Sequence, residues 1–177
     1  VDAEMSEYCI ITLAHGQVTK VSPHRYEELS KFSWHATKDK HTGGYYARRS
    51  ELCIVDGKPR MLGIRMSRQI LGLGTGDPRK ADHKNLDTLD NTDENLRIST
   101  NAENARNKRL QRNNTTGYKG VRRVTNSRTK EQTNKWMARI RVNSKAVYLG
   151  VFDSPEKAHA AYCKAATELH GEFARFK

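Results

Sequence analysis

Residues 81–107 read ADHKNLDTLDNTDENLRISTNAENARN, a short stretch crowded with amides and carboxylates. The stretch starts with an acid–histidine pair, Asp82-His83, and crosses an acidic, turn-rich segment at 86–94. A short apolar–polar run at 95–99 follows, then a polar segment with asparagines at 101, 104 and 107. Lys80–His83 suits one strand and 95–99 its antiparallel return. Thr100-x-x-Glu103 has capping-box spacing and predicts a helix over 101–110. On that helix Asn101, Asn104 and Lys108 share a face, and Asn104, in the first full turn, is expected to point back towards Asp82-His83. The local expectation is β-β-α.

These residue types suit one chemistry. Phosphodiester hydrolysis needs a water deprotonated near neutral pH, which histidine does best. It also needs a cation to stabilise charge on the phosphate and the leaving 3′ oxygen. The Asp82 carboxylate and an Asn104 amide oxygen form an all-oxygen pair suited to one Mg²⁺ or Mn²⁺, which would keep waters as further ligands. A turn-rich loop would carry an Asp-His dipeptide equally well. The whole constellation of Asp82, His83, Asn95 and Asn104 is what favours a site.

The stretch closely resembles the HNH (ββα-metal) endonucleases, in particular phage and intron-encoded homing endonucleases. Their pattern runs D-H-x-(D/N)-G-(D/N)-x-x-(D/N)-N, then E-N-L-R, then asparagines spaced N-x-x-N. The resemblance covers about 100 residues and implies that His83 is the general base and that Asp82 and Asn104 hold the metal. It makes Asn95 the central asparagine, which fastens the loop between the strands and orients the histidine. The sequence departs from the pattern in three places: Asn104 where many members have His, Leu86 where a turn glycine is usual, and Ser67 near a common His.

Composition agrees with a polyanionic partner. The 177 residues carry a net charge of +12, a pI of about 9.8 and a mean hydropathy of −0.86, so double-stranded DNA is favoured over a membrane or a small-molecule cofactor. No apolar run approaches the ~18 residues of a membrane span and no signal-peptide core is visible, so an intracellular, cytoplasmic protein is expected. Cys9, Cys53 and Cys163 are odd in number and far apart, which argues for buried reduced thiols. Residues 113–177 hold 13 Lys and Arg against 5 acids, whereas 1–112 hold 19 against 15. That shift places a nuclease domain at 1–110, a linker at 111–116 and a second domain at 117–177.

Before the site, short hairpins are expected at 10–13 with 17–21, 34–37 with 45–50, and 52–55 with 60–64 around Asp56-Gly57. Helices are expected from Ser22-Pro23 and over 66–73. His15, His24, His35 and His41 lack ligand spacing. Lys38, Lys40, Arg48, Arg49, Arg60 and Arg65 suit either a phosphate-facing platform or a solvated face.

After the linker, 117–124, 135–142 and 146–152 read as three strands with a turn at Asn143-Ser144. A helix then begins with Ser154 as N-cap and Pro155 at N1, and ends at Gly171. Ala158, Ala161, Tyr162, Ala165 and Leu169 form its apolar side. Strand alternation puts Trp136, Ala138, Ile140 and Val142 under the helix and Lys135, Met137, Arg139 and Arg141 on the open face. Residues 119–145 hold nine Lys and Arg against one acid, Glu131. Overall the expectation is an α+β chain.

The segment TGYKGVRRV…KWMARIRV…VYLGVFDSPEKAHAAYCKAA resembles the APETALA-type DNA-binding domain of plant ethylene-response factors over about 60 residues. In that family sheet side chains read the major groove. The resemblance implies Lys119, Arg122, Lys135, Arg139, Arg141 and Tyr148 as DNA contacts. Arg139 and Val124 depart from the plant pattern, so the target sequence does not carry over. The expected function is a site-specific DNA endonuclease, either a monomer nicking one strand or a homodimer cutting two. The alternatives are a non-catalytic DNA-binding regulator with a nuclease-like fold, and an RNA-binding role.

Overall fold

A computed structural model describes residues 7–40, 43–107, 110, 113–143 and 145–176. His41, Lys108 and Ser144 lie outside the described residues. The fold is α+β, and the chain divides into two compact units, 1–100 and 101–177.

The first unit is built from small sheets. β1 (Cys9–Thr12) and β2 (Val18–Val21) form an antiparallel hairpin whose turn places His15 and Gly16 at φ 72° and 85°. α1 (Pro23–Ser30) follows, with Pro23 at its first turn, where the missing N–H costs nothing. The Ser22 hydroxyl does not cap this helix; it accepts the Asp93 N–H at 2.9 Å instead. β3 (His35–Lys38), β4 (Tyr45–Val55) and β5 (Lys58–Arg65) make a three-stranded antiparallel sheet, with the β4–β5 turn at Asp56-Gly57. Both turn residues have positive φ, as a two-residue hairpin loop requires. The core gathers Ile11, Leu13, Val21, Leu29, Trp34, Ala47, Met66, Ile70 and Leu96. Trp34 donates its buried indole N–H to the Leu29 carbonyl at the end of α1, so the ring fills the core without an orphaned donor.

α2 (Met66–Ile70) is shorter than the 66–73 expected, because Gly72 takes a left-handed φ of 65° and ends the run. Arg68 then donates to the carbonyls of Gly74, Asp77 and Arg79 and folds the loop that leads into β6 (Lys80–His83). β6 pairs antiparallel with β8 (Leu96–Ser99), Asp82 opposite Arg97 and His83 opposite Leu96. Between them lies β7 (Asp90–Asn91), where the sequence suggested only a loop; it pairs parallel with β2.

The second unit opens with α3 (Asn101–Arg106), short of the expected 110. The strands β9 (Val121–Thr125), β10 (Gln132–Val142) and β11 (Lys145–Phe152) form an antiparallel sheet in the order β11-β10-β9. β9 begins four residues later than expected, because Gly117 and Gly120 both take positive φ. A Cβ on Gly120 would lie 2.1 Å from the Tyr162 ring and 2.7 Å from the Arg139 carbonyl, so only glycine lets the strand approach α4 (Pro155–His170) here. Ser154 accepts the Lys157 N–H and caps α4. Ala158, Tyr162, Ala165 and Ala166 are buried against Val121, Ala138 and Ile140. Ala166 takes the inward position assigned to Leu169, which is exposed. The three cysteines are free thiols, half-buried rather than buried. Among the described residues, no helix is long and apolar enough to cross a membrane.

Candidate active site

Within the first unit, β6 carries Asp82 and His83 side by side, and both are buried, 3% and 5% exposed. Adjacent residues on a strand point to opposite faces, so the two side chains meet different partners. Asp82 Oδ2 accepts the Nε–H of Arg97, its cross-strand partner, at 2.8 Å, and the guanidinium is itself nearly buried. A carboxylate at this depth needs such a partner.

His83 faces the β2–β7 side. Its Nε2 lies 3.2 Å from Asn91 Oδ1. The Asn91 side chain, 2% exposed, donates its Nδ2 to Thr19 Oγ1 at 2.9 Å, and the Thr19 hydroxyl donates to the Leu89 carbonyl at 2.6 Å. The direction of each bond fixes the next. Thr19 spends its one proton on Leu89, so it can only accept from Asn91. Asn91 must then turn its oxygen towards the imidazole, so Nε2 carries the ring proton and Nδ1 carries the lone pair. Burial holds the His83 pKa below its ordinary value, against the raising effect of the Asn91 bond and of Asp82, Asp87 and Asp90. A neutral imidazole with a defined tautomer is the form a general base needs. Tyr46 meets the ring edge-on at 6.2 Å, and Arg65 stacks on Tyr46 at 4.3 Å.

Asn95 does something different. Its Oδ1 accepts the Asn85 N–H at 2.9 Å, and its Nδ2 donates to the Asp90 carbonyl at 2.7 Å. One side chain therefore fastens both limbs of the β6–β8 loop, while the side chain bonded to His83 Nε2 is Asn91. Leu86 adopts a φ of 66°, the conformation of the glycine it stands in for. The loop acids are used locally. Asp87 accepts from Leu89 N, Asp90 from Asn85 Nδ2 and Thr92, and Asp93 pairs with His24 and Arg25.

Asn104 lies on α3, in the second unit. Taken singly, the Asp82 carboxylate and the Asn104 amide supply the hard oxygen donors that Mg²⁺ or Mn²⁺ accepts. Among the described residues, no three His, Cys, Asp or Glu side chains gather around one point; the expected pair contains a single carboxylate.

The six candidate DNA contacts in the second unit do not share one environment. Register places Arg122 opposite Met137 and Arg139 opposite Tyr148, on the sheet face away from α4. Arg122, Arg139, Arg141 and Tyr148 are all exposed. Lys135 forms an ion pair with Asp153, just past the end of β11. Lys119 is half-buried and donates to the Arg106 carbonyl at 2.7 Å. Burial and the nearby Arg175 charge lower its pKa to about 8. Trp136 lies on the helix side, under the guanidinium of Arg123.

No protein-family model matches the chain.

Asn91 and Thr19 were missed in the sequence. Asn91 sits in a run of polar loop residues, and only its pairing with a strand 70 positions earlier sets it apart.

Proposed function

We propose that this protein is a site-specific DNA endonuclease in which His83 is the general base. The observation that carries the reading is the buried, singly oriented imidazole: a neutral histidine is fixed through Asn91 and Thr19, with a charge-balanced carboxylate beside it on the same strand. In this reading His83 Nδ1 takes a proton from water, the water oxygen forms a bond to phosphorus, and the bond from phosphorus to the 3′ oxygen breaks. Asp82 and Asn104 would hold one Mg²⁺ or Mn²⁺, whose charge, when bound, stabilises the phosphate and the leaving oxygen. The open face of the second sheet, with Arg122, Arg139, Arg141 and Tyr148, supplies selection by docking in a DNA groove. The resemblance to HNH and APETALA-type domains supports the same pairing of cutter and reader.

One observation favours a second reading, a non-catalytic DNA-binding regulator: the Asp82 charge is already balanced by Arg97. Nicking of supercoiled DNA in Mg²⁺ or Mn²⁺ separates the two. The endonuclease loses about 10²–10⁴-fold on His83→Ala. Equal cleavage by wild type and His83→Ala sinks the mechanism, and binding without any cleavage favours the regulator.

A further inference from the structure

We propose that the β4–β5 ribbon is an arm that enters the minor groove of duplex DNA and wedges its apolar face against base steps, bending and unwinding the duplex. The inference rests on the DNA reading above and adds to it a way of deforming the substrate.

β3 pairs only with Tyr45–Arg48, so beyond Arg48 the ribbon is two-stranded. From there to the Asp56-Gly57 turn it extends roughly 20 Å, at about 3.3 Å per residue. Cross-strand register puts Leu52 opposite Met61 and Ile54 opposite Pro59, all on one face. Leu52, Ile54 and Met61 are 65%, 70% and 64% exposed, although each would gain by burial. Outward of Ser50 this face has no side-chain hydrogen-bond donor or acceptor, so its tip is unsuited to reading base edges. Leu, Ile, Met and Pro are the side chains that minor-groove architectural proteins insert between base pairs.

Charge identifies the partner as a polyanion. At the base of the same face stand Arg48 and Arg65, directly opposite each other. Gly63 makes room for the first of them, since a Cβ there would lie 2.0 Å from an Arg48 terminal nitrogen. The reverse face presents Lys58 and Arg60 near the tip, both exposed. The ribbon's acids are few: Glu51 is paired with Arg49 at 3.2 Å, and Asp56 sits in the turn. An apolar face with cations at its base and, on the reverse side, near its tip suits insertion between base steps with phosphates close by.

The test uses the full chain in EDTA, a plasmid relaxed by a type IB topoisomerase, and the linking-number shift that protein binding leaves. Wild type is expected to shift the topoisomer distribution. The variant L52S/I54S/M61S is expected to lose the shift and about tenfold in affinity, and L52M/I54L to keep it. These side chains are two-thirds exposed, so circular dichroism should match wild type. Plasmid binding by wild type without a shift overturns the proposal, as does a shift kept by the serine variant. A concentration-dependent dimer in sedimentation that the serine variant dissolves assigns the patch to a second copy and also overturns it. If wild type nicks DNA in Mg²⁺ but never shifts topoisomers, only the arm is wrong. If it neither binds nor cuts DNA, the endonuclease reading falls with it.

Discussion

Asn91→Leu is the perturbation that bears most directly on the site. Leucine has the same heavy-atom branching but bulkier methyl ends, so the change removes the polar contacts and adds some crowding. It takes away the acceptor of His83 Nε2 and the donor to Thr19 Oγ1. All three residues are buried, so the orphaned imidazole N–H costs about 1–3 kcal/mol of folding stability. For catalysis the loss is positional: an imidazole free to rotate or change tautomer forfeits roughly 10–10² in rate, or about 1.4–2.7 kcal/mol of activation free energy. That is smaller than the 10²–10⁴ expected for removing the base itself. The assay is single-turnover nicking of supercoiled plasmid at saturating Mg²⁺, at a temperature where circular dichroism shows both proteins fully folded. Thr19→Val is expected to give a smaller loss in the same direction, because Asn91 is then free to turn its amide. An Asn91→Leu protein that is fully folded and cuts at the wild-type rate would refute the orienting role.

Gly120→Ala should destabilise the second unit by about 2–4 kcal/mol, combining a left-handed φ with a Cβ driven into Tyr162 and the Arg139 carbonyl; urea denaturation checks it, and a cost under about 1 kcal/mol would contradict the packing. Lys119 has a folded pKa of about 8 against an ordinary 10.5. Between those values the unfolded chain binds more protons, so this residue's contribution to stability rises with pH from about 8 to 10.5. Melting temperatures of wild type and Lys119→Met should therefore diverge below pH 8 and converge towards pH 10.5. The isolated unit 101–177 is expected to bind DNA with log K falling against log salt at a slope of about −3 if Arg122, Arg139 and Arg141 each neutralise a phosphate. Each Arg→Ala change should then reduce the slope by about one, and salt-independent binding would remove the sheet from the DNA interface.

Local chemistry made part of this molecule legible. The β6–β8 hairpin, the β4–β5 turn and α4 each carry their own signals: alternation, Asp-Gly, and a Ser-Pro start with a Gly end. The neighbouring Asp82 and His83 are legible in the dipeptide, and their burial is what the structure adds. Asn91 is not legible, since its role depends on a two-residue parallel bridge to β2 that leaves no periodic trace. Leu86 reads as a departure from a glycine pattern, yet the backbone takes the glycine conformation regardless, because the Leu86 N–H bond to the His83 carbonyl closes the turn. Leu169 fits the helical spacing, but Ala166, closer to the sheet, fills the inward position. Lys119 scans as one more cation of the strand region; the Arg106 carbonyl that holds it belongs to a helix preceding the domain that sequence alone delimits.

The parallel bridge between β2 and β7 also sets an order of events. Residues 19 and 91 must meet before His83 has a fixed orientation, and a contact spanning 72 positions closes more slowly than the local hairpins. A ribosome-bound chain that ends before β7 can form its first hairpin and α1 but cannot orient His83. Under the endonuclease reading, the ability to cut DNA therefore appears only once the first unit is whole, and a truncated or partly folded product is inert towards the genome around it.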